Sequence, residues 1–310
     1  MEQLIVETTD LTKQYNGFTA VNGLNLRIAE GEMFGFLGAN GAGKTTTLLM
    51  LLGLTEPTSG TVRVCGKDPA RDPLAVKSQV GYLPERVGFY EELTARENLR
   101  FTGNLNHMPR VELEDRIDSI LGTVGLGRVK DHTVNTFSRG MKQRLGIADI
   151  WLKEPRLAFL DEPTTGIDPD GIDAILTLIS DMGKRGITVI FCSHVLPQVQ
   201  KLCSRVGIMS KGNLVADGPI ERLGRDASSA GRYRIEAEVE GAGPAVIAAL
   251  RKVKGVQEVD TVDSMLVVTA ESDLRGQLSR TIVDSGAILL GMKIEEYDLE
   301  KIYKRFSKEA

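Results

Sequence analysis

The amino-acid sequence predicts an α/β chain with a large first domain and a small α+β domain at its carboxyl end. Residues 32–53 read as an apolar strand, a glycine-rich turn and the start of a helix. Two further apolar runs, at 156–160 and 186–193, lie one helix-length apart, as in an open α/β sheet. After a polar, glycine-rich stretch at 224–231, the pattern changes to a short β-α-β-β-α-β order.

The turn after the first of these strands carries a phosphate-binding pattern. Residues 38–45 read GANGAGKT, which matches G-x-x-x-x-G-K-T. The glycines let backbone N–H groups face an anion, and the following helix adds partial positive charge at its N-terminus. Lys44 supplies a cation for the β- and γ-phosphates, and Thr45 a hydroxyl for Mg²⁺. The alternative is a chance glycine-rich turn. The predicted nucleotide-binding residues are Gly38, Ala39, Asn40, Gly41, Ala42, Gly43, Lys44, Thr45 and Thr46.

The composition excludes several classes of protein. The chain has 310 residues, of which 42% are hydrophobic and 26% charged, with a formal net charge of −4. This length predicts two domains, and the mild acidity argues against nucleic acid as a partner. No apolar run is long enough for a membrane span, and the N-terminus does not resemble a signal peptide. The odd number of cysteines is typical of a reducing cytosol, where they serve as small buried apolar residues.

An acidic pair and a histidine follow the next two strands. Asp161 and Glu162 directly follow the run at 156–160. Burying two carboxylates at the end of a strand is costly unless a cation or hydrogen bonds compensate their charge. We expect Asp161 to hold Mg²⁺ through water and Glu162 to polarise the attacking water. His194 directly follows the run at 186–193. Because ligands bind at the carboxyl ends of the strands in an open α/β sheet, we expect His194 to lie at the same sheet edge as Lys44. The alternatives are a solvated acidic turn and a structural histidine.

Residues 137–145, FSRGMKQRL, resemble the LSGGQ signature of ATP-binding cassette (ABC) ATPases, the nucleotide-binding subunits of ABC transporters. Ser138 is a good helix N-cap, and Gly140 permits close backbone approach. The resemblance implies a mostly parallel core sheet, an antiparallel β subdomain and a helical subdomain at about 86–150. In the family this helix N-terminus faces the γ-phosphate of ATP on a second subunit. A homodimer that encloses two ATP molecules is therefore expected, with ATP and Mg²⁺ as cofactors.

The same resemblance extends to other positions. Tyr15 matches the aromatic residue that stacks on adenine, although a simple strand tyrosine is the alternative. Asp168, in the segment GIDP, matches the loop that crosses the dimer, and His194 matches the switch histidine. Glu85, in VGYLPE, stands where the family usually has a glutamine near Mg²⁺ and water. Its carboxylate lacks the amide donor, so we expect it to act as a Mg²⁺-side acceptor.

The signature also departs from its commonest form. Arg139 and Met141 replace a glycine and a glutamine, and the variant resembles the exporter branch called ABC-2 type. Within that branch, the segments GYLPE and CSHVLP resemble the ATPase of nitrous-oxide-reductase copper maturation. An ATPase subunit that drives a separate integral membrane permease is the predicted function. A cytoplasmic location, peripheral on the cytoplasmic face of the cell membrane, is the corresponding expectation.

The region at 86–136 is the predicted contact with the permease. Thr94 and Glu97 form a capping box for a helix at 94–106, and 111–124 reads as a second amphipathic helix. Phe89, Tyr90 and Leu93 are candidate permease contacts, with packing inside the subdomain as the alternative.

The predicted domains are 1–223 for the ATPase, 224–231 for a linker and 232–310 for an accessory or regulatory domain. The latter reads as strands at 232–239, 256–262, 265–270 and 288–294 with helices at 244–253, 274–285 and 299–306. This order predicts a ferredoxin-like fold, and residues 298–303 resemble the end of many ABC-2 type ATPases. Dimer stabilisation or regulation is the hypothesis for this domain, and packing against the first domain is the alternative.

Three rival classes share the phosphate-binding pattern. A cohesin- or repair-type ATPase would carry a long heptad insertion, which residues 46–137 lack. A translation-factor type would carry two cassettes in one chain. An accessory ABC ATPase, acting in cofactor or metal-centre assembly without transport, remains the alternative to a transporter subunit.

Overall fold

The computed structural model describes residues 3–227, 233–262, 265–294 and 299–308. The chain divides into two compact units between Gly218 and Pro219. The strands of the first unit are β1 Leu4–Tyr15, β2 Phe18–Ala29, β3 Met33–Gly38, β4 Ser59–Val64, β5 Val80–Leu83, β6 Leu157–Asp161, β7 Thr188–Ser193, β8 Arg205–Ser210 and β9 Asn213–Pro219. Its helices are α1 Lys44–Leu51, α2 Pro73–Lys77, α3 Ala95–Leu105, α4 Arg110–Thr123, α5 Arg139–Lys153, α6 Pro169–Lys184 and α7 Leu196–Leu202, with short 3₁₀ turns at Gly127–Val129 and Val134–Thr136.

The core sheet has the strand order β5-β6-β7-β3-β8-β9, and neighbours from β5 to β8 pair in parallel. Strands β3, β6 and β7 are almost wholly buried, which explains why they read as continuous apolar runs instead of alternating ones. Leu37 pairs with Ser193, and Asp161 with Cys192. The predicted phosphate loop, acidic pair and histidine therefore follow three adjacent strands at the same edge, which we call the carboxyl edge.

A second sheet in this unit is antiparallel, with the order β2-β1-β4. Its buried residues join the apolar side chains of α1 and the core sheet in one cluster. The predicted α/β fold with a mostly parallel core sheet and an antiparallel β subdomain is confirmed. The cysteines Cys65, Cys192 and Cys203 are buried and unpaired, as expected.

Helices α3, α4 and α5 form the helical part of the unit. Thr94 caps α3: its side chain accepts a hydrogen bond from the backbone N–H of Glu97, and the Glu97 carboxylate accepts one from the Thr94 backbone. The capping box predicted from the sequence is thus present. Leu113, Ile117 and Leu121 of α4 are buried at the expected helical spacing.

The second unit is an α+β domain preceded by a helix. Its elements are α8 Ile220–Ala227, β10 Tyr233–Glu240, α9 Pro244–Leu250, β11 Val256–Val262, β12 Met265–Ala270, α10 Arg275–Asp284, β13 Ile288–Ile294 and α11 Leu299–Lys308. The antiparallel sheet order β11-β12-β10-β13, with this chain order, is ferredoxin-like, as predicted. Helix α8 covers the first part of the predicted linker, and residues 228–231 lie outside the described residues. The predicted domain boundaries therefore stay predictions.

Two differences from the expected elements are small. Helix α1 begins at Lys44 and not at Thr46, where the sequence pattern predicts its start, because Gly43 turns directly into it. Helix α9 ends at Leu250 and not at residue 253. Within the described residues, no helix is long and apolar enough to cross a membrane.

Candidate nucleotide-binding and catalytic site

The phosphate loop joins β3 to α1 in a conformation that only glycine accepts at one position. Gly43 has φ +106°, and a Cβ there would lie 2.5 Å from the carbonyl oxygen of Ala20. Among the described residues, none accepts a hydrogen bond from the backbone N–H groups of Gly43, Lys44 or Thr45. These three donors sit at the N-terminus of α1, so the loop is built to bind an anion.

Lys44 is buried at the carboxyl edge, with only 6% of its side chain exposed. Its Nζ donates hydrogen bonds to the carbonyl oxygens of Gly38, at 2.6 Å, and Ala39, at 3.3 Å. The same Nζ lies 3.6 Å from Oε1 of Glu162, whose side chain is 9% exposed. A buried ammonium group therefore lies between the loop and the acidic pair, where each charge compensates the burial of the other.

Asp161, at the end of β6, faces the phosphate loop. The Thr45 hydroxyl donates a 2.9 Å hydrogen bond to its Oδ2. Burial raises the pKa of the Asp161 carboxyl; the Thr45 hydrogen bond lowers it, and the negative charge of Glu162 raises it. The surroundings therefore disfavour the charged form of Asp161, and a bound cation would stabilise this charged form.

Glu162 adopts a left-handed backbone conformation, with φ +50°. Its backbone N–H donates to the carbonyl oxygen of Cys192 in β7, at 2.9 Å, which fixes the turn. The side chain lies between Lys44 and His194 at the carboxyl edge. Its Oε1 is 3.6 Å from Nζ of Lys44, and its Oε2 is 2.8 Å from Nδ1 of His194. Since a carboxylate only accepts, Nδ1–H of His194 is the donor in this contact. A non-glycine residue in this conformation stores strain of about 1–3 kcal/mol, typical of functional sites.

His194 follows β7 and is half exposed, with 48% of its side chain accessible. Oε1 of Glu162 is buried and has no hydrogen-bond partner among the described residues. Lys44, Glu162 and His194 thus form a line of charged and polar groups beside the Thr45–Asp161 pair. The sequence placed these residues on one edge, and the structure brings them into direct contact.

Other predicted site residues lie away from this line within the single chain. Glu85 is exposed just beyond β5. Burial is the main cause of the raised pKa of Asp161, and the negative charge of Glu85 raises this pKa only slightly further. Ser138 is exposed and caps α5, accepting a 3.3 Å hydrogen bond from the Met141 N–H. Asp168 caps α6 by accepting from the Gly171 N–H at 2.8 Å.

The first turn of α5 packs against the loop that carries Asp168. A Cβ on Gly166 would lie 2.5 Å from Nη1 of Arg139, and one on Gly140 would lie 3.6 Å from Cγ2 of Ile167. Arg139, the unusual residue of the signature segment, therefore lies against the Gly166 turn. The sequence did not indicate this contact, because the two segments are far apart in the chain.

Tyr15 ends β1 and is 43% exposed. Nζ of Lys13 lies 4.9 Å from the centroid of its ring, a cation–π contact that the sequence analysis did not anticipate. The ring is therefore accessible for stacking, and a cation lies beside it.

The oxygen donors present fit a divalent cation with few protein ligands. The Thr45 hydroxyl and the Asp161 carboxylate are adjacent, which suits Mg²⁺ that keeps most of its water and binds phosphate oxygens. No cluster of three or more histidine, cysteine or acidic ligands exists in the described part of the chain. The donor set therefore suits a cation that is bound together with a nucleotide.

Comparisons with known proteins agree with this geometry. A family profile described as "ABC transporter" matches residues 21–165. The bacitracin transport ATP-binding protein BcrA of Bacillus licheniformis is 36% identical over 301 residues, covering 96% of each chain. The linearmycin resistance ATP-binding protein LnrL of Bacillus subtilis is 31% identical over 307 residues, covering 96% of this chain and 97% of LnrL.

Solved structures give the same result. An ATP binding subunit of an ABC transporter superposes with a TM-score of 0.67 and 32% identity, covering 72% of this chain and 92% of that chain. The cbiO1 protein of Clostridium perfringens superposes with a TM-score of 0.63 and 29% identity, over 70% of this chain and 89% of its own. The chain therefore belongs to the ABC transporter family, as one of its ATP-binding and ATP-hydrolysing subunits.

Proposed function

We propose that the chain hydrolyses ATP in a homodimer and drives a separate membrane permease that exports an antibiotic. The observation that carries the catalytic part is the line formed by the buried Lys44 and Glu162 and the half-exposed His194, beside the Thr45–Asp161 pair. It supports roles for Lys44 as the phosphate-binding cation, for Glu162 as the acceptor of a proton from water, and for Thr45 and Asp161 as the metal-binding pair.

The phosphate loop holds the nucleotide. The free N–H groups of residues 43–45 bind phosphate oxygens, and Lys44 pairs with the β- and γ-phosphates. To do so, its Nζ exchanges the Glu162 carboxylate for the phosphate charge. Thr45 and Asp161 hold Mg²⁺, with Glu85 as an outer acceptor. When bound, the ion neutralises charge on the phosphate oxygens and fixes their orientation.

Glu162 is the proposed general base. Once Lys44 pairs with phosphate, the Oε1 atom that lacks a hydrogen-bond partner becomes available to accept a proton from water. His194 holds Oε2 in place and, through its exposed edge, reaches toward the γ-phosphate. The left-handed turn at Glu162 keeps the carboxylate on the edge, so the base needs little reorganisation.

A second copy of the chain completes the site. Ser138 and Gly140 lie at the exposed start of α5, where a helix N-terminus attracts an anion, yet Ser138 bonds only to its own helix among the described residues. We propose that these residues face ATP bound by the partner and that Asp168 lies at the dimer contact. Tyr15 stacks on the adenine ring.

The transport role follows from the relatives. Those compared are named for bacitracin transport and linearmycin resistance, and they match almost the whole chain, including the ferredoxin-like unit. We propose an ABC-2 type exporter on the cytoplasmic face of the cell membrane. The accessory ATPase alternative is not favoured, and the resemblance to copper maturation stays a prediction.

The helical part offers the surface for the permease. Tyr90 is 54% exposed and stacks edge-on against Phe101, with the ring centroids 5.0 Å apart. Leu105, on the same helix as Phe101, is 65% exposed. Of the residues predicted to contact the permease, Tyr90 has the most suitable exposure, whereas Phe89 and Leu93 are partly buried.

The Glu162→Gln variant tests the catalytic assignment. It removes the base but keeps the shape of the side chain, so it should bind ATP, form a stable dimer and lose at least about 100-fold in turnover. Phosphate release and the mass of the protein in solution with Mg²⁺ and ATP are the measurements. The matched control is Glu112→Gln on the exposed face of α4. Normal turnover in Glu162→Gln would exclude Glu162 as the base.

A further inference from the structure

A buried glutamine in the signature helix has no partner for its amide in the part of the chain that the structure describes. Gln143, in the second turn of α5, is 1% exposed. Neither its Nε2 nor its Oε1 has a hydrogen-bond partner among the described residues. Gln198, the other buried glutamine, is 9% exposed and accepts a 2.6 Å hydrogen bond from Thr164. An unpartnered buried amide costs free energy, so the amide of Gln143 calls for a functional explanation.

The position of Gln143 on α5 shows which segments it lies between. Gly140, Gln143 and Gly146 follow one another at three-residue spacing, so Gln143 projects between the directions of the two glycines. A Cβ on Gly140 would lie 3.6 Å from Cγ2 of Ile167, whereas one on Gly146 would overlap Cδ1 of Leu83 and lie 3.3 Å from Cγ1 of Val87. From this spacing we infer that the side chain of Gln143 projects between the Asp168 loop and the end of β5, which leads into the segment that carries Glu85.

The Glu85 segment, residues 84–89, has unused hydrogen-bonding capacity. Among the described residues, none pairs with the backbone N–H or C=O groups of residues 85–89. Both ends of the segment are held, by β5 on one side and by Asn98 on the other. The Asn98 Oδ1 accepts from the Tyr90 N–H and its Nδ2 donates to the Tyr90 carbonyl, both at 3.0 Å. A segment fixed at its ends but unbonded in its middle rearranges at low cost.

We infer that Gln143 is a positioning residue that connects the signature helix to the Glu85 segment when ATP closes the dimer. Its amide then donates to and accepts from the backbone of residues 85–89, which sets the position of Glu85 beside the metal pair. In the nucleotide-free chain this contact is open, and the cost of the unpartnered amide favours closure. The inference rests on the proposed ATP-driven dimer.

Hydrogen exchange in the full-length Glu162→Gln protein, with and without Mg²⁺ and ATP, tests this inference. ATP should slow amide exchange at residues 41–45 and also, by about tenfold, at residues 85–89, as expected for about 1.4 kcal/mol of added protection. Adding Gln143→Met, which keeps the volume but removes the amide, should abolish the effect at 85–89 and leave that at 41–45. In the otherwise unchanged chain, Gln143→Met should lower kcat about tenfold without changing KM for ATP.

Two further readouts separate positioning from a structural role. Gln143→Met should not lower the Tm of the nucleotide-free protein, because no hydrogen bond is lost, whereas the matched Gln198→Met should lower it. A lower Tm for Gln143→Met, or equal protection of 85–89 with and without the amide, would overturn the inference. So would the absence of ATP-dependent protection at 85–89 when Gln143 is intact. Missing protection at 41–45 would instead overturn the proposed nucleotide site, and the inference with it.

Discussion

The buried contact between Lys44 and Glu162 predicts a stability effect in the nucleotide-free protein. Their charged atoms are 3.6 Å apart, with side chains 6% and 9% exposed. At an effective dielectric constant of about 20, this separation corresponds to about 4–5 kcal/mol of attraction, before desolvation. Lys44→Met removes the cation and leaves the carboxylate buried with His194 alone. We expect a loss of about 2–4 kcal/mol in the free energy of unfolding of the first unit.

A double-mutant cycle isolates this contact from the hydrogen bonds that Lys44 makes to the loop carbonyls. Glu162→Gln in the Lys44→Met background should recover about 2 kcal/mol, because the buried charge is gone. Urea unfolding followed by the fluorescence of Trp151 is the assay, since this is the single tryptophan and lies in α5 of the first unit. Single effects that add to within about 0.5 kcal/mol would show that the two charges do not interact.

Three other predictions address the loop, the metal side and the helical part. Gly43→Ala should weaken ATP binding at least tenfold, because the added Cβ would clash with the carbonyl oxygen of Ala20. Gly88→Ala is the control and should leave ATP binding unchanged, because the space around Gly88 is open. Calorimetric titration with ATP measures both affinities. Glu85→Gln should change the Mg²⁺ dependence of ATPase activity, and unchanged activity and dependence would rule out a special role for the carboxylate. The pKa of Glu114 is lowered, mainly by the hydrogen bond from Arg100. This hydrogen bond therefore stabilises the folded protein above the ordinary pKa of a glutamate, and the stabilisation is lost as the pH falls through the lowered pKa of Glu114. Glu114→Gln should therefore cost about 0.5–1 kcal/mol at neutral pH and nothing in strong acid, as measured by urea unfolding at both pH values.

The sequence was sufficient wherever the chemistry is local. The phosphate loop, the capping box of α3 and the order of the ferredoxin-like unit each depend on neighbouring residues, and all three are present in the structure. The strand ends also placed Asp161, Glu162 and His194 at one edge, because parallel strands share the direction of their carboxyl ends.

Long-range contacts were beyond the sequence analysis. The pairing of Lys44 with Glu162 and the packing of Arg139 against Gly166 join segments that are separated in the chain. The amide of Gln143, which has no partner among the described residues, likewise depends on how the elements around α5 pack. Composition and spacing carry no information on which side chain fills a given gap, since this depends on how the elements pack. The roles assigned to Tyr15, Glu85, Ser138 and Asp168 stay predictions for the same reason.

Complementation between two inactive variants tests most directly whether each chain completes the site of its partner. Glu162→Gln removes the proposed base, and Ser138→Arg blocks the helix N-terminus that we propose faces the partner's ATP. A mixed dimer contains one intact site, formed by Glu162 of one chain and Ser138 of the other. Mixing equal amounts should restore about a quarter of wild-type ATPase activity, since half of the dimers are mixed and each has one working site. Activity that stays at the level of the separate variants would contradict the account.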